Sequence, residues 1–436
     1  MTMTPPAAGE QAGGARTLHL SELLRRPVTD KGGEPIGRLS DVIVRLRGAD
    51  LPLVSGLVVT VGGGREVYVP IKHASSFDGD VLKLATAKLD LRQFERRPGE
   101  VMLRADVLGH RLIDVETAQL IKAADLELVP RGPDRVLAGV DTRRRGRRFF
   151  GRSAAAPGGY TFREWTKFEP LIGHAGSELL RGPFGRIRRL KPAQIADLLE
   201  GASKEEETEI LGQVHADPEL EADVFEELDE DLATRLLGTR TDVQIAEVLT
   251  RMRADDAADT IAELPQRRRL PVLDLLPPGE RTKVLTLMGY NPASAGGLMG
   301  VDFVALPGDA TVRQALDHVA GSHSLQPEAL TSVHALNERG RLCGVVRLVA
   351  LVQSDQSALL ADIYDGDPVR VGANTDVVDV AVLMSDYNLI SIPVVDEQRK
   401  MLGLITVDDV LEVTLPDDWR RREVAQPPDA GRGEHS

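Results

Sequence analysis

The sequence predicts a multidomain α+β protein: an N-terminal small β-barrel, a helical superhelix, and a C-terminal pair of α/β modules. Three observations carry that class. The first and last regions each repeat internally, the middle region has helical periodicity throughout, and 436 residues leave room for about three domains of ordinary size. Apolar residues make up 42% of the chain and charged residues 28%, as in a globular protein, and no apolar run approaches the ~18 residues of a membrane span. The N-terminus lacks the apolar stretch of a secretory signal. The single cysteine, Cys343, excludes an intrachain disulfide and a cysteine-rich zinc site, which suits a reducing compartment.

Residues 1–16 and 416–436, rich in Pro, Gly, Ala and charge, read as disordered tails. The barrel is expected over 17–150. SELLRRPVTDKGGEPIGRLSDVIV from Ser21 and ADVLGHRLIDVETAQLIKAADLEL from Ala105 align at a constant offset of 84, which pairs Glu22 with Asp106, Asp30 with Asp114, and Asp41 with Asp125. Each copy alternates apolar and polar residues as half-buried strands do, and Lys31-Gly32-Gly33-Glu34 marks a tight turn. A small barrel is the natural closure for such short strands. Gly62-Gly63-Gly64 reads as a hairpin turn and not a phosphate loop, because no helix start follows it.

A linker is expected over 151–191. The run RRRGRR, Arg143–Arg148, precedes it and reads as a solvated turn, since no aromatic residues interleave it. Over 192–290, QIADLLEGA, ELEADVFEEL, QIAEVLTRM and DAADTIAEL place apolar residues at i, i+3, i+4 and i+7. Ala196, Ala222 and Ala246 recur every 24–26 residues, the mark of stacked helix pairs, and Pro265, Pro271, Pro277 and Pro278 read as helix ends. The modules are expected over 296–355 and 356–415. Val304–Leu316 parallels Val369–Ala381, and Val333–Val352 parallels Ile392–Leu411, each copy reading strand–helix–strand–strand–helix.

Three family resemblances follow from these residues. The first region resembles the PRC-barrel family through Val28, Asp30, Gly33, Ile36, Gly37 and Asp41; Thr117 and Ile121 replace the two glycines in the second copy. The last region resembles a tandem CBS pair, most strongly in IPVVDE…LGLITVDDVL, Ile392–Leu411. The helical region, with MRADDAADTIAELP (Met252–Pro265) and MGYNPASAGGLM (Met288–Met299) running into the first module, resembles the cytosolic half of MgtE-type magnesium transporters. In that family a transmembrane bundle follows the CBS pair.

Net charge is −14, but residues 1–160 carry 25 Lys+Arg against 19 Asp+Glu, a net of +6, which leaves −20 for the remainder. The acidic part attracts cations and repels nucleic acid, so no nucleic-acid partner is expected. Mg²⁺ is a hard ion that takes oxygen ligands and keeps several waters, so a few carboxylates suffice for a regulatory site. Candidate metal ligands are Asp255, Asp256, Asp259 and Glu263 on the helical side. Asp255, Asp259 and Glu263, at i, i+4 and i+8, fall on one helix face. On the CBS side they are Asp376, Asp386, Asp408, Asp409 and Glu412. The competing reading of the first-turn acids is ordinary helix capping. The family resemblance leads one to expect an acid where Asn388 stands. Thr406 and Asp409 have the spacing that meets ribose and phosphate in nucleotide-binding CBS pairs; the first copy has Arg347 and Ala350 at those positions, so at most one adenine nucleotide is expected.

No Walker loop, HExxH or GxSxG motif occurs, and the nine histidines show no metal-ligand spacing, so the chain reads as a non-enzyme. The resemblance implies a cytoplasmic regulatory protein that binds Mg²⁺ between helical domain and CBS pair and closes on it. It also implies a homodimer through the CBS pairs and a membrane transporter or other protein as partner, while the lack of a long apolar run predicts no membrane insertion of its own. Two alternatives stand beside it: an adenine-nucleotide sensor using the same CBS cleft, and an adaptor whose barrel binds a protein or RNA-processing partner.

Overall fold

A computed structural model describes residues 17–143, 162–171 and 185–415, apart from 48–49, 77–78, 87–89, 91, 98, 133, 324 and 326. Both tails, most of the linker and Arg144–Arg148 of the arginine run lie outside the described residues. The chain divides into two compact units after Asp229, so the helical region contributes to both.

The first unit opens with β1 (Leu18–His19), the one-turn helix α1 (Leu20–Leu23), β2 (Pro27–Thr29), and the long hairpin β3 (Pro35–Arg47)–β4 (Asp50–Val61). The strands β5 (Glu66–Pro70), β6 (Ala74–Ser76), β7 (Leu82–Leu84) and β8 (Glu100–Met102) follow. A second helical turn at Leu103–Val107 then leads to β9 (Arg111–Asp114), β10 (Gln119–Lys122) and the hairpin β11 (Asp125–Arg131)–β12 (Asp134–Asp141). Turn, strand and hairpin thus recur at the offset of 84. The two hairpins join at Leu53 against Val136, equivalent positions within a residue. One apolar cluster, from Leu18 and Val28 to Leu126 and Val140, fills the interior between residues of both copies.

The repeat is locked by exchange. Asp41 of the first copy accepts from the backbone N–H of Arg104 and Ala105, at 2.7 and 3.0 Å, at the helical turn of the second. Asp125 of the second accepts from the N–H of Ser21 at 3.0 Å, and from its hydroxyl, at α1 of the first. Each carboxylate thereby satisfies helix-start donors that have no intrahelical partner. Asp30 and Asp114 also match, each folding its own turn by accepting from residues two to four ahead. The missing glycine of the second turn is covered by Ala118, which takes the positive φ of +52° itself.

Residues 162–170 correct the expected linker. They form β13 (Phe162–Glu164), paired with β12, and β14 (Phe168–Pro170), paired with β9. Trp165 is 1% exposed and Phe168 fully buried in the core between the copies. Burial of two aromatics binds this segment to the β-rich domain although it is too short to show alternation. The unit closes with α2 (Pro192–Glu200), α3 (Lys204–Val214) and α4 (Pro218–Glu226), where Ser203 and Asp217 accept from first-turn amides. Arg111 of β9 binds this helical part: its guanidinium donates to Glu206 at 2.8 Å, with a second shorter contact, and to the Gly201 carbonyl at 3.1 Å.

The second unit begins with α5 (Glu230–Gly238), α6 (Asp242–Leu249), α7 (Ala254–Glu263), α8 (Gln266–Leu275) and α9 (Pro278–Leu287). α5 and α9 pack on α7, and α6 packs on α8, the next-but-one stacking expected of a superhelix. Pro271 does not end a helix: it lies inside α8, at the sixth of its ten residues, where it forgoes the intrahelical bond of its own backbone nitrogen. After the short helix α10 (Ala295–Leu298), the first module comprises β15 (Ala305–Pro307), α11 (Val312–Gly321), β16 (Ser332–Leu336), β17 (Leu342–Arg347) and α12 (Leu348–Gln353). The second comprises β19 (Val371–Gly372), α14 (Val377–Asp386), β20 (Ser391–Val395), β21 (Met401–Thr406) and α15 (Val407–Thr414). Between them lie α13 (Leu360–Ile363) and β18 (Asp365–Gly366). In both modules the first strand runs parallel to the second and the second antiparallel to the third. Segments are exchanged here too: β18 pairs with β17 of the first module, and Gly300 pairs with Leu404 of the second.

Candidate functional site

The junction 289–300 fixes how the helical stack of the second unit meets the second module. Ala295 N–H donates to Thr375 O and Gly296 N–H to Ala373 O, both at 2.8 Å, and Gly300 and Leu404 exchange two backbone bonds. The Gly-Gly pair is required by close approach: a Cβ on Gly297 would lie 2.4 Å from Asn291 O, and one on Gly296 would lie 2.6 Å from the Tyr290 ring.

This seating brings the first turn of α7 to the first turn of α15. Asp255 is buried, Asp256 half-buried, and Asp259 and Glu263 are exposed along the same helix. On α15, Thr406 donates its N–H (2.9 Å) and hydroxyl (2.6 Å) to one oxygen of Asp409, which closes the start of that helix. The other oxygen of Asp409 accepts from Arg253 at 2.8 Å, and the same guanidinium donates to Asp256 at 2.6 Å. Arg253 sits just ahead of α7 with extended backbone, so its side chain reaches from one helix start to the other.

The electrostatics reflect crowding of like charge. Burial pushes the Asp255 carboxyl above the usual carboxylate range; Arg253 opposes this and Asp409 adds to it. Asp409 is raised for the same first reason, with Arg253 and Thr406 opposing and Asp408 adding. Asp259 is pushed up to about 6, first by desolvation against the helix stack, then by Asp255, Glu230 and Glu263. All three would accept further positive charge.

The structure therefore gathers Asp255, Asp256 and Asp409 around Arg253, with Asp408 exposed beside them. Glu412 is exposed farther along α15. Asp376, the N-cap of α14, and Asp386, its last residue, make no contact with Arg253 among those described: Asp376 accepts from Val378 N–H at 2.9 Å, and both line a groove of about 870 Å³ with Leu298, Val378, Val382 and Val413. Asn388 adopts a φ of +50°, a conformation asparagine tolerates, and so serves the turn after α14. Among the described residues no group of three or more His, Cys, Asp and Glu side chains is arranged to hold a metal ion. The cation at the centre of the cluster is Arg253, which a reading of acids alone passes over. Its signal was its place directly before Ala254-Asp255-Asp256.

Residues 190–293 match the family model of the MgtE intracellular N domain. That segment is similar to the intracellular N domain of MgtE. Residues 360–415 match the CBS domain and 16–91 the PRC-barrel domain; these models cover one copy of each duplication, while the backbone repeats both. The chain is 36% identical over 164 residues to the magnesium transporter MgtE of Thermus thermophilus, covering 36% of each chain. It is 31% identical over 134 residues to that of Enterococcus faecalis, covering 31% of this chain and 29% of the relative. It thus spans about a third of the length of these relatives. Among solved structures, the soluble part of a magnesium transporter aligns at 25% identity and a TM-score of 0.48, over 52% of this chain and 89% of that one. The cytosolic domain of the Mg²⁺ channel MgtE in complex with ATP aligns at 29% and 0.49, over 52% and 92%. Among the described residues, no helix is long and apolar enough to cross a membrane.

Proposed function

We propose that the chain is a Mg²⁺-responsive regulatory module of the cytoplasm, in which the helical domain and the second CBS module close on each other according to divalent-cation supply. The observation that carries this reading is the confrontation of Asp255 and Asp409. They come from two domains, both are largely buried, and each is held above the ordinary carboxylate range, in Asp255 partly by the other. The three carboxylates Asp255, Asp256 and Asp409 with one guanidinium leave a formal charge of −2, which one divalent cation neutralises. The donor set is all oxygen, as Mg²⁺ requires, and such an ion keeps waters to complete its shell. A cation that binds the closed arrangement better than the open one shifts the population toward closure. The magnesium transporters among the relatives support the choice of ion. Homodimerisation through the CBS modules, with a separate membrane transporter reading the closure, completes the proposal.

Calorimetric titration of the intact chain with MgCl₂ tests it. Binding in the millimolar range or tighter, lost in Asp255→Asn/Asp409→Asn, is the expected result. Binding that persists in the double variant places the ion elsewhere and ends the proposal. A melting shift with ATP and none with Mg²⁺ selects the nucleotide alternative, although Thr406 and Asp409 already satisfy each other.

A further inference from the structure

Arg253 makes the contact between helix stack and second CBS module without any metal. Its Nε donates to Asp256 on its own helix, and one terminal nitrogen donates to Asp409, 156 residues later in the chain. The guanidinium is about 23% exposed and the Asp409 side chain about 10%, so the bridge is only partly screened by solvent. Arginine is permanently charged, and its planar fork engages two carboxylates at once. Breaking one member of such a partly buried pair leaves the other charge poorly compensated. The same residue offsets the Asp255 carboxyl through space. One tethered positive charge thus serves three acids from two domains, the group to which a free divalent cation would also go.

We propose that Arg253 is a built-in cation that holds the α7 and α15 helix starts together when divalent metal is scarce, and so sets how much closure is left for Mg²⁺ to add. This rests on the Mg²⁺ reading only in its second half. With Arg253 present, the metal-free chain is already partly closed and responds weakly. Without it, the three acids repel and closure depends on the ion.

Hydrogen exchange on the intact chain over residues 254–263 and 407–414, in EDTA and in 10 mM Mg²⁺, tests both halves. The wild type should be protected in EDTA and gain little with Mg²⁺. Arg253→Gln should exchange at least tenfold faster in both segments in EDTA and regain protection with Mg²⁺. Arg253→Lys, which keeps the charge but loses the fork, should fall between. Unchanged exchange over residues 35–61 in each variant verifies that the loss is local. If Arg253→Gln is as protected in EDTA as the wild type, the proposal is overturned. If it loses protection and Mg²⁺ does not restore it, the bridge stands, while the threshold role and the Mg²⁺ reading both fall.

Discussion

Replacing Asp41 with alanine removes one of the two carboxylates exchanged between the copies of the β-rich domain. Asp41 is 2% exposed and accepts three backbone N–H groups, from Val42 and Arg104 at 2.7 Å and from Ala105 at 3.0 Å. A hydrogen bond to a charged acceptor contributes about 1.5–3 kcal/mol, so three give about 5–9 kcal/mol. Burial works against this and pushes the carboxyl from 3.8 to about 6, with Asp106 adding to the rise. At about 1.4 kcal/mol per pH unit, the rise, which remains after the three bonds are made, disfavours the ionised form by about 3 kcal/mol at neutral pH. Asp41→Ala removes the acceptor of three buried N–H groups, each costing about 1–3 kcal/mol when left unmade, and should destabilise by about 2–6 kcal/mol at pH 7. Asp41→Asn keeps one acceptor oxygen and sheds the buried charge, so it should lie within about 1 kcal/mol of wild type. The sign of the pH effect follows from the raised value. Between pH 4 and 6 the folded state binds more protons at Asp41 than the unfolded state, so its contribution falls as pH rises through that window. The stability difference, wild type minus Asp41→Asn, should drop by about 2.5 kcal/mol from pH 4 to 7. Hydrogen exchange over β3 and residues 100–108 of the intact chain, corrected for intrinsic rates, reads both quantities. Equal losses in the two variants, or a difference that does not change with pH, would refute the reasoning.

Arg111→Ala should loosen the first turn of α3 by about 1–2 kcal/mol and leave β3 and β4 unchanged, because Arg111 holds Glu206 and the Gly201 carbonyl but packs little core; exchange over 203–210 against 35–61 measures it. Gly297→Ala should destabilise the second unit by about 1–3 kcal/mol, since the new Cβ meets backbone 2.4 Å away. Gly212→Ala, in α3 with open space around it, should instead stabilise by about 0.5–1 kcal/mol, so differential scanning of the two variants should shift in opposite directions. Thr406→Val should weaken the start of α15 by about 1 kcal/mol through loss of the hydroxyl bond to Asp409, seen as faster exchange at 407–411.

Much of the β-rich domain could be read from the offset of 84, because equivalent positions such as Asp41 and Asp125 occupy equivalent places. The exchange itself could not be, since a one-dimensional repeat says which residues match and not which copy each one touches. Residues 162–170 were hidden because two three-residue strands are too short for period-two alternation to register; Trp165 and Phe168 were the only trace. In the second unit, the spacing of Asp255, Asp259 and Glu263 suggested one helix face, and the family resemblance suggested acids on both the helical and the CBS side, but neither says which acid meets which. Arg253 was passed over because the acids were weighed as ligands for a foreign cation, when the chain supplies one of its own. Asn388 looked like a lost ligand, but its positive φ gives it a backbone reason to be there.

The pairing of β18 with β17, and of Gly300 with Leu404, bears on how this chain can be taken apart. A fragment cut between the two modules, near residue 355, deprives β17 of the strand at 365–366 and leaves an unpaired rim of amides and carbonyls along a short sheet. Such bare rims recruit strands from other molecules. Excised single modules should therefore aggregate or trade strands with one another, whereas a piece running from before Gly300 to beyond Thr414 keeps both rims covered.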